Sequence, residues 1–340
     1  VLSNLLYVML NNVGPEFNFL LITVAGENFS GGLGSAAFVA YLSVLCKKEY
    51  SGTQYALLSS IMGLARTFLS SPSGFIVEGE NVGQRVTINP LVSCGTCWAC
   101  KKGKTNLCSK RELISIPPRD GAFAEYLAVP YENVLKVPDS VNIRNAALTE
   151  PLACGWHAVK LGMRSLDIEL SKSKCLVIGG GAIGVGVSLA LNAHGMSNHT
   201  ILEKNPLRQK SLKEQLLANA EIITSIDGNK EYNFVVDAVG YCVTREISSK
   251  LCLPGGVIVH IGLGDGMGGL DVRRMTLQEI TFIGTYTFTK EDFMETAEAV
   301  FSGKMGQFGW VEERPLKDGK RAFGDLYEGK VSASKILLRP

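Results

Sequence analysis

The chain has 340 residues, enough for two domains of ordinary size. Its formal net charge is +2 and no basic block stands out, so composition offers no footing for nucleic acid. The opening VLSNLLYVML has no basic stretch before its apolar run, so a secretory signal is not supported and Val1 does not read as a natural start. The average charge hides an asymmetry. Residues 1–76 hold six charged side chains (Glu16, Glu27, Lys47, Lys48, Glu49, Arg66), and the other 60 of the 66 follow.

From Phe17 to Cys46 the only charge is Glu27, over a length that exceeds the roughly twenty residues needed to cross a bilayer as a helix. Gly31, Gly32, Ser35 and Ala36 recur at four-residue spacing, a pattern that lets membrane helices approach closely. LCKKEYSGTQ then reads as a polar loop. Tyr55–Leu69 reads as a second apolar helix broken only by Arg66, and Ser-Pro-Ser-Gly as its stop. A buried helical hairpin in a soluble protein is the alternative. ITVAGENFSGGLGSAAFVAYLSVLC, TQYALLSS and RTFLSSPSGF together resemble the muropeptide permease branch of the major facilitator superfamily over about residues 2–76. The resemblance implies two or three helices of a dozen, too few for an alternating-access path. It also implies membrane association through 1–76.

Eight of the nine cysteines follow residue 93, and four of them form Cys94-GT-Cys97-WA-Cys100-KKGKTNL-Cys108. Four thiolates on one tight loop suit a tetrahedral structural zinc in a reducing compartment. Gly95 and Gly103 permit the turns that aim the sulfurs inward. Lys101, Lys102 and Lys104 offset the negative charge of a four-thiolate zinc. An iron–sulfur cluster and free thiols are the alternatives.

KCLVI (174–178) reads as a strand, Gly179-Gly180-Gly181-Ala182-Ile183-Gly184 as a nucleotide loop, and VGVSLALNAHG as its helix. Gly179 makes the turn and Gly181 admits a pyrophosphate. Gly184 lets helix and strand pack, and the helix start at Ala182 and Ile183 supplies N–H donors. The next strand, HTILE, ends at Glu203, whose carboxylate suits ribose hydroxyls and favours NAD over NADP. Lys204 and Arg208 lie nearby and keep NADP open. A glycine loop without ligand is the plain alternative. The alternation continues with a strand at FVVDAV (234–239), a turn at Pro254-Gly-Gly, VIVHIGL, a strand at Ile280–Tyr286 and a helix from Lys290. The expected fold is α/β, a doubly wound parallel sheet with helices on both faces.

From about Val82 the motifs GQRVTINP, the cysteine lobe, GAFAEYLAVP, TEPLACGWHA, GGGAIG, VVDAVG, PGGVIVHIGL and TLQEITFIGTY are similar to those of zinc-dependent medium-chain alcohol dehydrogenases, the polyol branch above all. The resemblance implies a GroES-like β-barrel over 77–155, here truncated, a Rossmann domain over 156–305 and a return to the barrel domain over 306–340, after the apolar segment 1–76. It also implies zinc-assisted hydride transfer between an alcohol or sugar alcohol and NAD, a cytoplasmic setting and a homo-oligomer. Glu150, the acid of the EPLA motif, then sits at the catalytic zinc; a buried acid before Pro151 is the bland reading. The family's other catalytic ligands, a Cys and a His ahead of the lobe, lack counterparts. All four histidines (His157, His194, His199, His260) follow the lobe, and Cys46 lies in the permease-like segment. The expectation is a chimera that keeps the structural zinc and the NAD site without the catalytic zinc. A membrane-anchored NAD(H)-binding protein and a transporter fragment with a passenger are the rivals.

Overall fold

The structure, a computed structural model, describes residues 83–339 except 125, 197, 216–219 and 227–229. The chain divides into two units, Val1–Phe75 and Ile76–Pro340, and the described residues all lie in the second. The two apolar helices expected within 1–76 and Cys46 fall outside them. Among the described residues no helix is long and apolar enough to cross a membrane.

The first elements are short: β1 (Val86–Ile88), β2 (Leu91–Val92), α1 (Trp98–Lys101) in the cysteine lobe, β3 (Glu112–Leu113) and β4 (Val134–Lys136). β1 pairs antiparallel with β4, and β2 with β3. These two ladders are what the described residues show of the expected barrel. Asn133 ties them together, its side-chain amide donating to the carbonyls of Asn89 and Leu91. Next come α2 (Ile143–Ala146), capped by Asn142, and the longer α3 (Thr149–Met163). α3 runs across residue 155, so one continuous helix joins the ladders to the sheet beyond.

That sheet is built from β5 (Cys175–Ile178), α4 (Ala182–Ala193), β6 (His199–Leu202), α5 (Pro206–Gln215), β7 (Ala220–Ile223), β8 (Tyr232–Asp237), α6 (Cys242–Leu251), β9 (Cys252–His260), α7 (Val272–Leu277) and β10 (Thr281–Gly284). All its ladders are parallel, in the order β10-β9-β8-β5-β6-β7. The chain starts in the middle and winds outward both ways, the doubly wound order with its reversal beside β5. β5 is apolar, and both β5 and β6 are wholly buried, as parallel strands covered on both faces are; β6 buries His199 and Thr200 beside Ile201 and Leu202. Val177, Ile201, Val236 and Val259 pack with α3 and α4 on one face. Leu176, Ile178, Val235 and Ile258 pack beside Leu251 of α6 on the other. Each such side chain contributes about 1.5–3 kcal/mol on burial.

Two expectations shift. The turn at Pro254-Gly-Gly lies inside β9, where the register jumps from Tyr232↔Cys252 to Phe234↔Val257 and Gly255 takes φ +69°. Four residues (253–256) thus lie opposite one (Asn233), and the three extra bulge from the strand without ending it. The strand expected to reach Tyr286 stops at Gly284, where its partner β9 ends at His260, and Thr287 beyond it enters the left-handed region at φ +45°. Beyond it lie α8 (Lys290–Phe301), β11 (Val311–Pro315), α9 (Gly319–Tyr327) and β12 (Lys335–Arg339), with β11 parallel to β12. A reciprocal capping box between Thr289 and Asp292 starts α8 where the sequence places it.

Candidate cofactor site and metal centre

Gly179 leaves β5 with φ +98° and its amide bonded to the Leu202 carbonyl at 2.8 Å, which fastens the loop to β6. A Cβ on Gly184 would lie 1.8 Å from the Gly179 carbonyl oxygen, so only glycine lets α4 start this close to the strand end. A Cβ on Gly181 would meet nothing within 4 Å, so the loop is open on that side. α4 begins at Ala182 and Ile183 with its first amides directed at that space. The loop can therefore hold an anionic diphosphate against a helix N-terminus.

Glu203, immediately after β6, is buried. Its carboxylate accepts from the Gly180 amide at 2.8 Å and the Asn205 amide at 2.7 Å. Each carboxylate oxygen keeps a second lone-pair site for a ligand hydroxyl. Arg208, on α5, lies 4.0 Å away and its Nε is buried without a partner. The sequence reading therefore named residues that the fold brings together. It did not name Asn205, which caps α5 through the Leu207 amide and donates to the Gly329 carbonyl at 2.9 Å. Nor did it name Ser334, whose hydroxyl donates to the Gly180 carbonyl at 2.7 Å. Both contacts bring the C-terminal stretch against the nucleotide loop, and no local pattern announces so distant a pairing.

The other half of the sheet ends in a second group of polar side chains. Asp237 closes β8 by accepting from the Val239 and Gly240 amides and the Thr244 hydroxyl, with His260 Nδ1 at 3.3 Å. Burial opposes its ionisation, but the hydrogen bonds from His260, Gly240, Val239 and Thr244 prevail and lower its pKa. Arg245 is buried and donates to the carbonyls of Gly240, Asp265, Met267 and Gly268, which shapes the loop after β9. Past β10 the hydroxyl oxygens of Thr285 and Thr287 are buried and unpaired.

In the lobe, the sulfurs of Cys94, Cys97, Cys100 and Cys108 lie within 4.8 Å of one another. Tetrahedral zinc with bonds of about 2.3 Å sets sulfurs about 3.8 Å apart, so this donor set fits a structural zinc. The Cys94 thiol is lowered to about 5, first by the amide and hydroxyl of Thr96 and then by the Cys97 amide. Burial pushes Cys100 up to about 11. A dication bound here displaces the protons that remain. Gly95 and Gly103 adopt φ +69° and +74°, the turns expected of them.

Glu150 sits in the first turn of α3, half-buried. Burial raises its pKa and the Lys335 cation opposes the rise. Cys154, one turn on, is raised by burial and by the Glu150 charge. These are two donors. Among the described residues, the lobe is the one cluster of three or more potential ligands. The described residues therefore do not fit a second zinc at Glu150, and no chemical step is assigned to one.

The alcohol dehydrogenase GroES-like domain family matches residues 55–139. Among curated relatives, L-galactonate-5-dehydrogenase of Escherichia coli K12 is 28% identical over 294 residues, covering 84% of this chain and 79% of that protein. (R,R)-butanediol dehydrogenase of Saccharomyces cerevisiae is 27% identical over 317 residues, covering 84% and 81%. Among solved structures, acetophenone reductase from Geotrichum candidum in complex with NAD aligns with a TM-score of 0.67 at 27% identity, covering 76% of this chain and 74% of that one. A dehydrogenase from E. coli CFT073 complexed with NADH aligns at 0.69 with 22% identity, covering 78% and 80%, a likeness of fold. The chain is thus similar to alcohol and polyol dehydrogenases, and is an enzyme by that resemblance. The family match begins at Tyr55, and 84% of the chain is more than residues 77–340 contain. Dehydrogenase similarity therefore enters the segment that the sequence reading gave to a permease, and none of these comparisons supports a permease part or a chimera.

Proposed function

We propose that the chain is an NAD-dependent dehydrogenase that moves a hydride between the carbinol carbon of a secondary alcohol, polyol in class, and the nicotinamide ring. The observation that carries this reading is Glu203, buried and held by two amides with a lone pair free on each oxygen. Such an acid takes the ribose hydroxyls of NAD and repels the 2′-phosphate of NADP. Gly179, Gly181 and Gly184 set the pyrophosphate bed, and the amides of Ala182 and Ile183 face it. Arg208 flanks the adenosine side. The residues at the end of β6 would hold the adenosine half and those at the ends of β8 to β10 the nicotinamide half, the two mononucleotide halves of such a sheet. When bound, the cofactor supplies the hydride acceptor, and the protein's part is to bind, orient and exclude water.

The lobe holds a structural zinc in this reading, and Glu150 is the acid nearest the reacting alcohol. The barrel part spans about 77–155 and 306–340 around the Rossmann part, and the enzyme works as a homo-oligomer in a reducing cytoplasm. Its relatives include dehydrogenases of L-galactonate and of (R,R)-butanediol, which sets the range of substrates to try. A panel of polyols and aldonates with NAD, read by NADH absorbance, tests the reading. Turnover of at least one polyol, at least tenfold better with NAD than with NADP, is the expected outcome. Failure of the full-length protein to bind NADH would sink it. A second reading, a membrane-attached NAD(H)-binding protein, draws on the thirty residues with one charge between Phe17 and Cys46. Recovery of the protein in the membrane fraction, with NADH binding and no turnover, would favour that reading.

A further inference from the structure

We propose that the cysteine lobe positions the nicotinamide half of the cofactor site, with Asn106 as the positioning residue. The proposal rests on the cofactor reading above. The segment Thr285–Lys290 continues from β10 at the carboxyl end of the sheet, on the half that takes the nicotinamide mononucleotide. Two features mark it as a ligand wall. Thr287 is β-branched and holds φ +45°, a conformation that persists only where surroundings impose it. The hydroxyl oxygens of Thr285 and Thr287 are buried and unpaired, as donors and acceptors waiting on a polar ligand are.

What imposes that backbone is the lobe. Asn106, buried two residues before Cys108, donates from Nδ2 to the Tyr286 carbonyl at 2.8 Å. A carbonyl demands a donor, so this contact fixes the amide's orientation. The same nitrogen lies 3.4 Å from His157 Nε2, while His157 Nδ1 lies 2.7 Å from Asp292. The ring proton therefore belongs on Nδ1, and the chain of bonds runs from lobe to α3 to α8. Asp292 in turn accepts from the Thr289 amide and hydroxyl. Burial opposes its ionisation, but His157, Lys160 and Thr289 hold its carboxyl well below the usual range. The neighbouring Thr105 hydroxyl accepts from the Lys290 amide at 2.8 Å, and Arg111 stacks 4.8 Å from the centre of the Tyr286 ring. Thr105, Asn106 and Arg111, in and just after the lobe, thus hold both ends of a strained six-residue wall. The same loop that gathers the four sulfurs shapes the surface met by the nicotinamide.

The test uses the full-length, zinc-loaded protein and two probes: NADH, and ADP-ribose, which lacks the nicotinamide. Asn106→Ala is expected to weaken NADH about tenfold, leave ADP-ribose unchanged and keep the zinc content of the parent. Thr105→Val, which keeps the shape and loses the acceptor for Lys290, is expected to do the same and stands in if Asn106→Ala does not fold. Equal weakening of both probes, or no change in either, would overturn the proposal, because a purely structural contact does not single out the nicotinamide. If the parent protein bound neither probe, the cofactor reading itself would fall, and this proposal with it.

Discussion

Replacing Glu203 separates its structural role from its part in cofactor choice. Its carboxylate is held by the amides of Gly180 at 2.8 Å and Asn205 at 2.7 Å. Glu203→Ala removes both acceptors. The Gly180 amide is left buried and unpaired at about 1–3 kcal/mol, and the Asn205 amide costs less because water can reach it. Stability should drop by about 2–4 kcal/mol, which a domain of ordinary stability survives. The ribose contact is a second loss. A hydrogen bond to a charged acceptor is worth about 1.5–3 kcal/mol, so NADH should weaken about 10- to 150-fold. Glu203→Gln keeps an acceptor and removes the charge. A carboxylate about 5 Å from a phosphate charge repels it by about 3 kcal/mol at an effective dielectric of about 20. The Gln variant should therefore gain NADPH affinity at least tenfold while losing less NADH affinity than the Ala variant. NADH and NADPH titrations by fluorescence, beside urea unfolding, give all three quantities. Unchanged NADH affinity in Glu203→Ala, or no gain for NADPH in Glu203→Gln, would refute the assignment.

Metal analysis should find about one zinc per chain, and Cys108→Ser should lose it, since Cys108 is the fully buried member of a four-sulfur set. Gly184→Ala should abolish NADH binding, because its Cβ would sit 1.8 Å from the Gly179 carbonyl oxygen; titration calorimetry reads this directly. Gly155→Ala should cost about 3 kcal/mol in urea unfolding, because its Cβ would lie 2.5 Å from the backbone of Gly186 where α3 crosses α4. His199 is buried on β6, paired with Ser188 through Nε2 and with Nδ1 unpaired, and burial lowers its pKa to about 4. Its unfolded value is about 6.5, so between about 6.5 and 4 the unfolded chain takes up a proton that the folded one refuses. The contribution is intact above about pH 6.5 and is lost as pH falls towards 4, about 2 kcal/mol of it by pH 5. His199→Asn should flatten the urea midpoint across that range.

What the sequence made legible was whatever repeats locally. The apolar run of β5, the glycine spacing and the acid at the next strand end each need only a few adjacent residues, and the fold assembles them as expected. The four cysteines are local too, and their sulfurs converge. The misread elements are those where tertiary pairing overrules a local signal. Pro254-Gly-Gly is turn chemistry, yet both of its flanks pair with β8, so the ladder absorbs it as a bulge. ITFIGTY has strand composition to its end, yet its partner β9 ends opposite Gly284, and past that point Tyr286 and Lys290 bond to the lobe while Thr287 takes φ +45°. Residues that act across the chain left no pattern at all: Asn106 meets Tyr286 180 positions away, and Ser334 meets Gly180 154 positions away. Both bonds end on backbone carbonyls, which every residue has, so the sequence of the acceptor carries no trace of them. The same logic bears on the lobe. As a motif it reads as a closed metal staple, because four cysteines in fifteen residues say nothing about what the intervening Thr105 and Asn106 touch. Placed in the fold, those two residues and Arg111 join the staple to the segment after β10. In the proposed reading the metal site and the nicotinamide wall share one stretch of backbone, so removal of the zinc should weaken NADH binding.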